Sequence, residues 1–75
     1  MDTASPSGLS SQELAIYHAL SDRRGRVVSR AELARSAEIA NLSERRCDSL
    51  IVGIRRAVGS DRIVTVRRRG WMLLS

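Results

Sequence analysis

The segment LSERRCDSLIVGIRRAVG, residues 42–59, constrains the fold more than any other part of this 75-residue chain. Ser43 can cap a helix and Gly59 can end it, so the pattern predicts a helix over residues 43–58. One face of that helix is apolar and consists of Cys47, Ile51, Ile54 and Val58, with Leu50 at its edge. The opposite face is basic and otherwise small, with Arg45, Ser49, Val52 and Arg56, flanked by Arg46 and Gly53. A chain of this length has one small core, so the other elements must pack on the apolar face.

Two shorter helices are predicted upstream, each introduced by a capping box. Ser10 and Glu13 have the S-x-x-E spacing in which each residue satisfies a free backbone N–H of the first helical turn. Helical periodicity follows, which predicts a helix over residues 11–21. Ser29 and Glu32 repeat the box before a helix over residues 30–37. The short apolar pair Val27–Val28 between the helices is typical of a short strand.

A β-hairpin is predicted at the end of the chain. Two β-rich stretches, Ile63–Val66 and Trp71–Leu74, flank a four-residue connection made of three arginines and Gly70. Gly70 is expected to supply the backbone freedom of the turn. Trp71 is expected to anchor the hairpin to the core rather than to stack on a base.

The charge of the chain is strongly asymmetric. The net charge is +5, and all basic residues are arginine. Residues 1–40 hold five arginines and five acids, whereas residues 41–75 hold eight arginines and three acids. Such an excess in one half predicts a surface that faces a polyanion, and the alternative is a solvated face that keeps the chain soluble.

Several function classes find no support in the residues. Cys47 is the only cysteine and cannot form an internal disulfide, and His18 has no partner at metal-ligand spacing. Neither a catalytic triad, a carboxylate pair nor a glycine-rich phosphate loop stands out, so no enzyme activity, metal, cofactor or small-molecule ligand is predicted. An apolar run of the ~20 residues needed to span a membrane is also missing. We therefore expect a cytoplasmic protein, with residues 1–8 as a disordered lead or linker and residues 9–75 as one domain.

The order of these elements is that of a winged helix-turn-helix. LSSQEL, GRVVSRAEL, SERRCDSLIVGIRRAVG and IVTVRRRGWML resemble, in order, the first helix, the link into the second helix, the recognition helix and the wing of the OmpR/PhoB-type effector domains of bacterial response regulators. The resemblance covers residues 9–73. It implies an α+β fold of three helices and a C-terminal hairpin wing, here without the small N-terminal sheet of the family.

The resemblance implies sequence-directed binding of double-stranded DNA in bacterial transcription regulation. The recognition helix, residues 43–58, would lie in the major groove, and the wing, residues 63–74, on the minor groove or its phosphates. The candidate DNA-binding residues are Arg45, Arg46, Ser49, Gly53, Arg55, Arg56, Arg67, Arg68 and Arg69. Arg55 carries two interpretations: a phosphate contact, as the resemblance implies, or an internal ion pair with Glu32 or Asp48.

Other partners stay open at this stage. A second copy of the chain or RNA polymerase are candidate partners, although the loop EIANL, through which family members touch the polymerase, is short here. The alternative function is a winged helix used as a protein-interaction or regulatory module, as a fragment of or appendage to a larger protein. Leu50, Val52 and Gly53, on or near the expected reading face, favour that alternative. RNA binding is disfavoured because exposed aromatic residues are not clustered.

Overall fold

The computed structural model describes residues 8–74, and the predicted order of three helices and a hairpin is confirmed. Helix α1 covers Ser11–Asp22, α2 Arg30–Ala37 and α3 Glu44–Val58, followed by strands β1 Ile63–Val66 and β2 Gly70–Leu73. Most of the predicted lead segment, residues 1–7, lies outside the described residues. No helix among the described residues is both long enough and apolar enough to cross a membrane.

Each helix is preceded by a serine whose side chain caps its first turn. Ser10 and Glu13 form a complete capping box at α1, and Ser29 and Glu32 form another at α2. Ser43 accepts a hydrogen bond from the backbone N–H of Arg46 at 3.1 Å and so caps α3. Because a good N-cap stabilises a helix by about 1 kcal/mol, these local contacts fix three helix starts in a small domain.

The link between α2 and α3 is held by backbone conformation and by one arginine. Glu38 and Asn41 adopt left-handed backbone conformations, with φ of 56° and 57°. Arg30 of α2 reaches across the link and donates from Nη1 to the carbonyl of Leu42 at 2.6 Å. The two helices of the helix-turn-helix are therefore connected by an ordered turn.

The core is built on the predicted apolar face of α3. Cys47, Leu50, Ile51 and Ile54 are buried there, whereas Val58 is only half-buried at the margin. Residues of all the other elements complete the cluster: Ile16, Ala19, Leu20, Val28, Leu33, Leu42, Ile63, Trp71 and Leu73. Leu50, predicted near the reading face, is 3% exposed and belongs to this core.

The hairpin differs from its prediction in the position of the turn. Gly70 belongs to β2 and pairs with Val66, so the connection is the three-residue run Arg67–Arg69. The left-handed residue of the turn is Arg68, with φ 64°. Gly70 has another reason to be glycine, because a Cβ there would overlap the carbonyl oxygen of Val28.

The predicted short strand before α2 is present as a single bridge to the hairpin. The N–H of Val28 donates to the carbonyl of Trp71 at 2.7 Å, and the N–H of Trp71 donates to the carbonyl of Val28 at 3.0 Å. Trp71 is 7% exposed, which confirms its expected role as an anchor. The wing is thus attached to the start of α2 by backbone hydrogen bonds on one side.

Candidate nucleic-acid interface

One stripe of α3 faces solvent along the whole helix. Arg45, Ser49, Val52 and Arg56 are all exposed, on the side opposite the buried residues of the helix. Their spacing of four, three and four residues keeps them on a single face. With a rise of 1.5 Å per residue, the stripe extends about 16 Å. We call these four residues the exposed stripe.

A second polar stripe of α3 turns toward the start of α1. Arg46 donates from Nη2 to Oε1 of Gln12 at 2.7 Å. Two turns further along, Gly53 lies beneath the side chain of Glu13, whose carboxyl carbon is 2.8 Å from the position that a Cβ would occupy. Glycine at this position therefore allows α1 to approach α3 closely.

Arg55, near the end of α3, turns toward the wing. Arg55 donates to the carbonyl of Ile63 from Nε at 3.2 Å and from Nη2 at 3.0 Å. Its Nη2 also donates to Oγ1 of Thr65 at 2.7 Å. Arg55 therefore makes internal hydrogen bonds to β1, in place of the ion pair with Glu32 or Asp48 that was one of its two predicted interpretations. The guanidinium covers the free edge of β1 and ties the wing to the last turns of α3.

The wing tip presents three arginines to solvent. Arg67, Arg68 and Arg69 are all exposed, and the N–H of Arg69 donates to the carbonyl of Val66 at 3.0 Å to close the turn. Left-handed backbone at Arg68 is uncommon for a residue other than glycine or asparagine. The tip is therefore a tight cationic turn with one residue in a costly conformation.

A cleft of about 450 Å³ separates the wing from the first turns of α2 and α3. The wing contributes Arg68 and Arg69 to its wall, and α3 contributes Glu44 and Asp48. The remaining lining residues are Ser29, Arg30, Ala31, Thr65, Val66, Gly70 and Trp71. The cleft therefore contains carboxylates of α3 as well as arginines of the wing, whereas the two charged residues of the exposed stripe, Arg45 and Arg56, are both basic.

The titratable groups with shifted pKa values are structural. Hydrogen bonding to the backbone N–H of Ser29, in the capping box, lowers the pKa of Glu32, aided by the nearby charges of Arg23 and Arg35. Burial raises the pKa of the Cys47 thiol to about 11, and the charge of Asp48 adds to the shift. A buried thiol with this pKa stays protonated at neutral pH and is a poor nucleophile. Among the described residues, His, Cys, Asp and Glu form no group of three or more suited to a metal ion.

Sequence reasoning missed two positioning contacts. The anchoring of Arg55 by Ile63 and Thr65 depends on the reversal of the chain after α3, which no local pattern encodes. The contact of Arg30 with Leu42 likewise joins residues twelve positions apart. The exposed serine–valine pair in the middle of the exposed stripe was visible from the helical periodicity, but only Ser49 was identified as a candidate.

Fold and interface together define a winged helix-turn-helix domain. A family model described as "Transcriptional regulatory protein, C terminal" matches residues 5–73, and the chain belongs to this family. The predicted OmpR/PhoB-type resemblance is thereby confirmed, and the family places the chain among DNA-binding domains of transcription regulation.

A solved relative has the same architecture. The DNA-binding domain of Klebsiella pneumoniae RstA, crystallised in complex with the RstA box, matches 89% of this chain and 73% of its own with a TM-score of 0.75. Sequence identity is 23%, so this likeness establishes the fold alone. A comparison with curated proteins finds no match.

Proposed function

We propose that the chain binds double-stranded DNA in a sequence-directed way, with α3 in the major groove and the wing on the adjacent minor groove or its phosphates. The observation that carries the proposal is the exposed stripe of α3 together with a wing whose three tip arginines are exposed. A recognition helix requires a basic, low-bulk front and an apolar back, and α3 has both. The RstA domain, which is similar in fold, was solved on its DNA box.

The candidate residues divide into contact and positioning roles. Arg45 and Ser49, near the start of α3, are assigned to base edges, since arginine can bind guanine in a bidentate manner and serine accepts several bases. Arg56 lies further along and is assigned to a phosphate. Arg46 is shared between Gln12 and solvent, which suits a phosphate contact of limited reach.

Two candidates act by holding the interface together. Arg55 already satisfies three hydrogen bonds within the wing attachment, so we assign it to positioning the wing rather than to a phosphate. Gly53 allows α1 to approach α3. The wing arginines Arg67 and Arg69 are assigned to phosphates or the minor groove, and Arg68 to the same region.

The partners follow from the scale of the interface. A single module of this kind buries only about 600–1,000 Å² on DNA, so a second copy or a tandem site would raise the affinity. A regulator of bacterial transcription works in the cytoplasm, where we place the chain. RNA polymerase is a further candidate partner through the α2–α3 link. The proposal assigns no reaction to the chain.

Fluorescence anisotropy of a labelled duplex pool, titrated with the 75-residue chain from low to physiological salt, tests the proposal. Binding should saturate and weaken log-linearly with salt, with a slope of about −0.9 per phosphate neutralised. The double variant Arg67→Ala/Arg69→Ala should reduce that slope by about two, because each arginine accounts for about one phosphate. It leaves the left-handed residue of the turn untouched.

A matched control removes the same charge elsewhere. Arg24 and Arg26 are exposed residues of the turn after α1, and Arg24→Ala/Arg26→Ala lowers the net charge equally. Its slope should stay close to that of the parent chain. Equal losses in both double variants would mean that only net charge matters and would remove the wing from the interface. Failure of the folded chain to bind any duplex at low salt would favour the protein-interaction module instead.

A further inference from the structure

The least expected residue of the exposed stripe is Val52. It is 46% exposed, more than Val27, Val64 and Leu74, the other exposed large apolar residues of the described chain. A β-branched residue also lowers helix propensity, so valine at a solvent-facing position of a helix brings no folding advantage. Val52 thus contributes little to the core or to helix propensity, and it is the apolar side chain that the exposed stripe presents to any partner of α3.

The surroundings of Val52 define what that partner can be. Ser49 precedes it by one turn and Arg56 follows by one turn on the same face. Serine and valine are short, so the middle of the helix can approach the floor of a groove closely, while the longer arginines at both ends reach outward. An apolar protein partner is less well supported by the structure than by the sequence. Of the residues that favoured such a partner, Leu50 is buried and Gly53 lies beneath Glu13.

We infer that Val52 reads the 5-methyl group of a thymine in the major groove. Among the four bases, only thymine presents a methyl group there, and apolar side chains recognise it by contact. Val52 thus becomes a specificity-determining residue between the hydrogen-bonding Ser49 and the phosphate-binding Arg56. The inference rests on the proposed DNA binding and adds the base class that the middle of the helix selects.

The test begins with selection of bound sequences from a random duplex pool by the 75-residue chain. Each thymine of the selected site is then replaced singly by deoxyuridine, which removes the methyl group and leaves every hydrogen-bonding group in place. One replacement should weaken binding about fourfold, the effect of withdrawing one methyl group from an apolar contact. In Val52→Ala, the thymine and deoxyuridine duplexes should bind equally at that position.

Two variants separate a methyl contact from a general defect. Val52→Thr keeps a methyl group at the same place and should retain part of the discrimination. Val27→Ala truncates another exposed valine, outside α3, and should retain all of it. Val52→Ala is expected to fold, because alanine is a better helix former than valine.

Each outcome bears on one proposal. Discrimination that persists unchanged in Val52→Ala overturns the inference, as does a selected site in which no deoxyuridine has an effect. A variant that weakens both duplexes equally overturns it too, because Val52 would then contact the sugar–phosphate backbone. In all three cases the DNA-binding proposal stands. If selection recovers no sequence, the proposed function fails, and the role of Val52 fails with it.

Discussion

Replacement of Gly53 by alanine tests how α1 is fitted against the recognition helix. A Cβ at this position would lie against the carboxylate of Glu13, with the carboxyl carbon at 2.8 Å. The same carboxylate accepts a hydrogen bond through Oε1 from the N–H of Ser10 at 2.9 Å and so completes the capping box of α1. An added methyl group must therefore displace the group that caps the neighbouring helix.

The two effects have similar sizes and opposite signs. Alanine in mid-helix is more favourable than glycine by about 1 kcal/mol. Displacement of Glu13 loses a net hydrogen bond, which contributes about 0.5–1.5 kcal/mol. We therefore expect Gly53→Ala to change the free energy of unfolding by less than about 0.5 kcal/mol. In a Glu13→Ala background the opposing term is gone, and the same substitution should stabilise the chain by about 1 kcal/mol.

The coupling between Gly53 and Glu13 is measured by urea unfolding of four proteins: the parent chain, Gly53→Ala, Glu13→Ala and the double variant. Unfolding is followed by circular dichroism. Glu13→Gln serves as the matched control, because glutamine retains the size and the acceptor oxygen and should preserve the near-zero effect of Gly53→Ala. A gain of about 1 kcal/mol from Gly53→Ala in every background would refute the reasoning, since the helix propensity would then act alone. The m-value should stay constant across the set if unfolding remains two-state.

Three further predictions concern the wing and the core. Arg68→Gly should stabilise the chain by up to about 1 kcal/mol in urea unfolding, because glycine adopts the left-handed turn conformation without strain, whereas the matched Arg67→Gly should not. Arg55→Met should lower the free energy of unfolding by about 1–3 kcal/mol, since it leaves the edge of β1 without its donors. The stability of the parent chain should fall between about pH 9 and 11, because the Cys47 thiol ionises first in the unfolded state, and this fall should be smaller in Cys47→Ala.

The helices were predictable because their signals are local. Ser10 with Glu13, and Ser29 with Glu32, satisfy backbone groups three residues away, so the sequence alone contains both partners of each bond. The apolar face of α3 is likewise a matter of spacing within one helix. Two helix ends differ from the prediction by one residue each: α1 ends at Asp22 rather than residue 21, and α3 begins at Glu44, with Ser43 as its N-cap.

The roles of Gly53 and Gly70 were harder to predict, because the residues that each glycine accommodates are far away in the sequence. Gly70 was assigned to the turn, the usual place for glycine, but it is in β2, and its lack of a Cβ accommodates Val28, forty-two positions earlier. Gly53 accommodates Glu13, forty positions earlier. A local pattern shows that a glycine is present, but it cannot show which distant surface requires it.

The arginines of the second half also show the difference between what a local pattern and what the fold can reveal. By composition, all arginines of the second half contribute equally to the excess of +5. In the fold, Arg55 is occupied by the wing edge and Arg46 is partly occupied by α1, whereas Arg45 and Arg56 remain on the exposed stripe. The proposed function therefore assigns phosphates mainly to Arg56 and the wing tip, and base edges to Arg45 and the short side chains of the exposed stripe. On that proposal a basic domain can be selective, because hydrogen bonds within the fold hold Arg46 and Arg55 away from the centre of the exposed stripe.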